Sequence, residues 1–150
     1  MPLTVNPESP LTDDAQGLIE GSELALRAVY SPDECFTFTA KELDAPNISF
    51  LVARDEQTPL GCVALVDCGT YGEVKRLFVT PDARGTGTGR QLMAELETHA
   101  AALGLPVVML ETGDKLVAAV ALYRKLGYAE CGPFGAYDAH PASLFMTKTL

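Results

Sequence analysis

Apolar residues crowd into three short runs between positions 50 and 79, "FLVAR" at 50–54, "GCVALVD" at 61–67 and "EVKRLFV" at 73–79, with "DEQTP" and "CGTYG" between them. Runs of this length bounded by turn-forming residues predict three sequential antiparallel strands. Pro81 stops the third. The period then changes: Leu92, Met93, Leu96, Ala100 and Leu103 recur at helical spacing, and Gly104 and Pro106 close the segment. "VVMLET" at 107–112 predicts a buried strand, "LVAAVALYRKLG" a helix ending at Gly127, and "YAECG" and "SLFMTKTL" two last strands. Before position 50 the pattern is weaker. "LTV" at 3–5 predicts a short strand ended by Pro7 and Pro10. Thr12 can cap a helix that carries Asp13 and Asp14 in its first turn and Ala15, Leu18, Ile19, Leu26, Val29 and Tyr30 on one stripe, interrupted by Gly17 and Gly21. "SPDE" reads as a turn, and a second short helix is expected near Thr39 to Asp44.

The strand at 73–79, the segment after it, the helix and the strand at 107–112 make a crossover unit, which sets its two strands parallel. Antiparallel pairs flank that unit. The expected architecture is α/β (α+β): a mixed, mostly antiparallel central sheet with one parallel crossover and helices on both faces. No repeat, low-complexity tract or linker breaks the order, so residues 1–150 read as a single domain.

Charge narrows the partners. The formal net charge of −9 excludes a broad grip on nucleic acid phosphates, and the acids are concentrated in residues 1–56. Lys75, Arg76, Arg84 and Arg90 cluster later, where a small anion can be held. The cysteines at 35, 62, 68 and 131 form no CxxC pair, and with only His99 and His140 beside them the spacing predicts no metal site. Free thiols in a reducing cytoplasm are the expectation. "MPLTVNPESP" lacks the basic start and apolar centre of a signal peptide. The longest apolar run, "LVAAVALY", is too short to cross a bilayer, so neither export nor a membrane is expected.

"RGTGTGRQLM" at 84–93 places three glycines just ahead of a helix. Amides at a helix N-terminus lack intrahelical partners, the helix dipole places roughly half a positive charge there, and glycines let a pyrophosphate approach closely. A glycine-rich turn that holds nothing is the plain alternative. Two nucleotide motifs fail: no Lys and Ser or Thr follow Gly89 as a P-loop needs, and Arg90 stands where a dinucleotide fingerprint needs its third glycine.

"VTPDARGTGTGRQLM" resembles the Arg/Gln-x-x-Gly-x-Gly/Ala segment of the GNAT superfamily of N-acetyltransferases, with Arg84, Gly87 and Gly89 on the motif positions. "LYRKLGY" at 122–128 is similar to that superfamily's later helix, and the element order fits from about residue 50 onward. More narrowly, "EVKRLFV", "LETG", "PFGAY" and "SLFMTKTL" resemble a bacterial subgroup of small acetyltransferases, some labelled indoleacetate acetyltransferases. The resemblance implies acetyl-CoA as co-substrate, its pyrophosphate on the backbone of Arg84, Gly85, Thr86, Gly87, Thr88 and Gly89 with Arg90 beside it. It also implies a pantetheine arm along Leu77, Phe78 and Val79, in a splay between the strands at 73–79 and 107–112. The acceptor would be the amine of a small molecule, attacking directly in a ternary complex. Sheet-edge homodimers are frequent among such proteins.

An alkyl amine near pKa ~10.4 is mostly protonated at neutral pH, which adds roughly 4.6 kcal/mol to the barrier unless a base removes the proton. Family position makes Glu73 the first candidate base and Tyr123 the acid that protonates the departing thiolate. Glu111 is the second candidate base, or with Thr112 it fixes the turn after its strand. Each has a plainer reading, as a solvated strand-end acid or a core tyrosine. Strand alternation puts Lys75 and Arg76 on opposite faces and favours Lys75 for the acceptor pocket, beside Glu73. A cysteine nucleophile lacks any sequence-visible histidine partner. A CoA-binding sensor without turnover is the alternative from another class, and a nucleotide or redox domain a third.

Overall fold

A computed structural model of the chain describes residues 3–31 and 39–150. Thr12 accepts a hydrogen bond from the Ala15 amide and opens α1 (Asp13–Arg27), with Asp13 and Asp14 in its first turn. A reciprocal capping box between Thr39 and Glu42 opens the short α2 (Ala40–Leu43). The turn expected at "SPDE" and Cys35 lie largely or wholly outside the described residues. The expected strands follow as β1 (Leu3–Pro7), β2 (Ile48–Asp55), β3 (Thr58–Asp67) and β4 (Gly72–Val79). A 3-10 turn at Pro81–Ala83 leads into α3 (Thr88–Ala102), then β5 (Val107–Gly113), α4 (Val117–Lys125), β6 (Ala129–Cys131) and β7 (Ser143–Thr149).

The strands form one sheet in the order β1-β2-β3-β4-β5-β7-β6. Every neighbouring pair is antiparallel except β4 and β5, which the crossover through α3 makes parallel. Each face buries its own apolar layer. Leu92, Met93 and Leu96 of α3 pack on Val63, Leu65, Val74, Val108 and Leu110, and Tyr123 of α4 joins them. On the other face Ala15, Leu18 and Ile19 of α1 cover Phe50, Val52, Cys62 and Ala64. Two residues expected on apolar stripes fall outside: Leu103 is the C-cap of α3 and is exposed, and Val29 lies beyond the end of α1 and is exposed. Among the described residues no helix is long and apolar enough to cross a membrane.

Two irregularities of β4 shape the site. The expectation that Lys75 and Arg76 point to opposite faces does not hold. Cys62 pairs with Phe78 but Ala64 pairs with Lys75, so β4 carries one more residue than β3 over this stretch. That bulge is taken up at Arg76, whose φ is 57°. Lys75 faces the α1 side with its partner Ala64, and the Arg76 guanidinium turns to the same side, donating to Ser22 at 3.2 Å and Glu23 at 3.0 Å. The second irregularity is an early end to pairing. Only Gly72, Glu73 and Val74 pair with β5, opposite Val108, Met109 and Leu110, although both strands run on. Beyond that point they part.

Candidate active site

The gap between β4 and β5 is the floor of a cavity of about 750 Å³. At one end lies the glycine loop. Gly85 and Gly87 have φ of 79° and 85°, which glycine adopts without steric cost, and a Cβ on either would meet nothing within 4 Å. Gly87 is the N-cap of α3, so the first-turn amides of that helix open toward the same space. Thr86 does not line the cavity; its hydroxyl bonds the Ala83 carbonyl and shares a 2.8 Å hydrogen bond with the buried Thr88 hydroxyl, bracing the turn from behind. Arg84, Arg90 and Lys125 bring three exposed cations to the rim. Arg84 Nε donates to the Val79 carbonyl at 3.3 Å, which fixes the loop against the end of β4. Leu77, Phe78 and Val79 run along the wall with the β4 edge that has no β5 partner. An extended chain ending in a pyrophosphate fits this donor set, with the strand edge for its amides and bare helix amides with cations for its phosphates.

At the other end the two candidate bases separate. Glu73 is buried and does not line the cavity: it accepts the Tyr137 hydroxyl at 2.6 Å and pairs with Lys75 Nζ at 3.1 Å. Lys75 also donates to the Tyr137 hydroxyl and does line the cavity. Glu111 lines it too, half-buried, and burial lifts its carboxyl above its ordinary value against the pull of a Ser143 hydrogen bond and the Lys75 charge. Tyr123 reaches the cavity from α4, buried; removal from water, with the Glu111 charge adding to it, holds its hydroxyl firmly protonated. Thr112, also buried, lines the same end. The gap thus brings together Glu111, Tyr123, Lys75 and Thr112, with Glu73 one layer behind.

Sequence reasoning misses Tyr137, Tyr30 and Lys125. Tyr30 donates to Asp114 Oδ1 at 2.8 Å and accepts the Lys115 amide at 2.6 Å, tying the end of α1 to the loop after β5. Gly113 keeps that place open, since a Cβ there would collide with the Tyr30 ring. Tyr30 and Tyr137 meet partners 84 and 64 residues away, and no local spacing announces such pairs. The Cys62 thiol is buried, donates to the Arg76 carbonyl at 3.4 Å and is pushed up to about 12 by burial, away from the thiolate that a nucleophile needs. Cys68 and Cys131 are free thiols away from the cavity.

Residues 16–128 match the family described as Acetyltransferase (GNAT) family. The chain is 45% identical to an IAA acetyltransferase of Azospirillum brasilense over 150 residues, covering 99% of this chain and 98% of that one. A structure from Klebsiella pneumoniae, provisionally described as an acyl-CoA N-acyltransferase, superposes with a TM-score of 0.83 at 28% identity, covering 99% of this chain and 97% of that one. The PaiA N-acetyltransferase of Thermoplasma acidophilum, solved with coenzyme A, shares the fold over 100% of both chains with a TM-score of 0.75 at 18% identity. With a family match across most of its length and a relative matched from end to end, the protein belongs to the GNAT family of acetyltransferases and is an acyltransferase that uses acetyl-CoA.

Proposed function

We propose that the enzyme moves an acetyl group to the amine of a small molecule by direct attack while both substrates are bound, with Glu111 taking the amine proton and Tyr123 giving one to the departing sulfur. One observation carries this reading: Glu111 and Tyr123 line a single cavity whose far end is the glycine cradle, whereas Glu73, the first candidate from sequence, is enclosed by Tyr137 and Lys75 behind the cavity wall. Bound acetyl-CoA supplies the acetyl group as an activated thioester.

The chain's own residues supply the rest. Arg84, Arg90 and Lys125, with the backbone of residues 85–89, would hold the phosphates; the unpaired edge at Leu77, Phe78 and Val79 would hold the amide-bearing arm. A carboxyl raised by burial is a stronger base than an exposed one, which suits it to accept a proton at neutral pH. The Tyr123 hydroxyl, raised by burial, holds its proton at neutral pH and would give it to the sulfur as the carbon–sulfur bond breaks. The base works only when unprotonated, so the rate falls as pH drops through the Glu111 pKa, which burial raises from its ordinary value.

The test is release of free CoA thiol from acetyl-CoA with neutral, cationic and carboxylate-bearing amines, all three included because Lys75 and Glu111 share the acceptor end. Turnover with one class and an acid limb in its pH profile is the expected result. Acetyl-CoA binding with no turnover on any amine would favour a sensor instead.

A further inference from the structure

The charged residues of β4 and β5 stand in an order that the ladder itself dictates. Val74 and Leu110 pair with each other and both enter the core beneath α3. Alternation therefore turns Glu73, Lys75 and Glu111 to the opposite face, and Lys75 and Glu111 are the next residues on their strands where pairing stops. One ammonium is thus set between two carboxylates at the mouth of the splay. Its placement is not left to chance: Glu73 Oε2 pairs with it at 3.1 Å, the Tyr137 hydroxyl accepts from it, and the Tyr137 ring lies under it at 4.8 Å. Tyr137 is itself packed edge-on to Phe145 at 5.6 Å, and Phe145 is the β7 partner of Glu111.

We propose that Lys75 is a positioning residue for the transfer reaction, anchored by Glu73 and Tyr137 on the far side of the splay so that its charge tunes Glu111 while that carboxylate stays open to the acceptor amine. The inference rests on Glu111 being the base. It gives Glu73 a task that its enclosure permits, as the counter-charge that holds the ammonium back. Other groups also act on Glu111: the Ser143 hydroxyl from β7, His140 from the loop before it and the Glu73 charge from β4, while Tyr123 of α4 feels the Glu111 charge in turn. A His140→Gln background takes the imidazole out of the comparison.

The experiment is kcat/KM for acetyl transfer against pH, from about pH 5 to about pH 9, in wild type, Lys75→Met, Lys75→Arg, Tyr137→Phe and Glu111→Gln, each repeated on a His140→Gln background. Lys75→Met is expected to move the acid limb up by about one pH unit, the lower end of what a neighbouring opposite charge does. Lys75→Arg keeps the limb near its wild-type position. Tyr137→Phe, which loosens the anchor but keeps the charge, moves it down by a smaller amount. A merely structural lysine would change amplitude and leave the limb in place, so an unmoved limb in folded Lys75→Met overturns the proposal. If Lys75→Met does not fold, an unmoved limb in Tyr137→Phe overturns it. The Glu111→Gln profile separates the two readings: a limb that survives there at the wild-type rate means that Glu111 is not the base, whereas a limb lost there but unmoved by Lys75→Met defeats the Lys75 proposal alone.

Discussion

Glu111→Gln is expected to slow acetyl transfer by about 10²–10⁴-fold, the usual range for loss of a general base, while acetyl-CoA binding is retained. The amide has the shape of the carboxylate and can still meet the Ser143 hydroxyl, but it cannot accept the proton that the amine must lose. Stability separates this effect from unfolding. The folded-state pKa of Glu111 is raised by burial, so its contribution to stability is fully present below the unfolded pKa and is lost as pH rises through the folded pKa. At neutral pH the ionised carboxylate therefore opposes folding, and a neutral Gln removes that cost. A Tm equal to or above that of wild type, together with the loss in kcat, is the expected pair of results from thermal unfolding and thiol release.

Gly87→Glu is expected to abolish stabilisation by acetyl-CoA while leaving a folded protein. In wild type, a ligand at 100 times its Kd stabilises by about 2.7 kcal/mol, which for a chain of this size is roughly 5–11 °C in Tm. A Cβ at Gly87 meets nothing within 4 Å, so the protein has room for the new side chain. Two consequences follow. The φ of 85° strains any residue with a Cβ, at about 1–2 kcal/mol, which lowers the ligand-free Tm by a few degrees. The added carboxylate fills the space before the first turn of α3, where an anion would sit, and repels it. NAD and ATP added in place of acetyl-CoA serve as comparators, with no shift expected for either protein.

What the sequence made legible was local. The change from a short apolar run to helical spacing and back to a short run marked β4, α3 and β5 in order, and their parallel pairing followed from chain connectivity alone. The Thr12 cap was readable because its partner lies three residues away. The glycine loop was readable because φ values that only glycine takes cheaply require glycine in the sequence. Register was not readable. One extra residue in β4 turns Arg76 to the face of Lys75, and no pattern within "EVKRLFV" reveals a bulge that depends on how β3 pairs. The choice between two carboxylates was equally out of reach. Glu73 and Glu111 look alike in sequence, and what sets them apart is a tyrosine hydroxyl 64 residues beyond Glu73 that closes over one of them.

Thiol release by Glu73→Gln, measured beside Glu111→Gln with the same amine at the same pH, decides which carboxylate is the base. If Glu111 is the base, Glu73→Gln keeps at least about a tenth of wild-type kcat while Glu111→Gln falls by the about 10²–10⁴-fold expected of a lost base. Collapse of Glu73→Gln with Glu111→Gln still turning over would reverse the two roles and contradict the reading of the cavity.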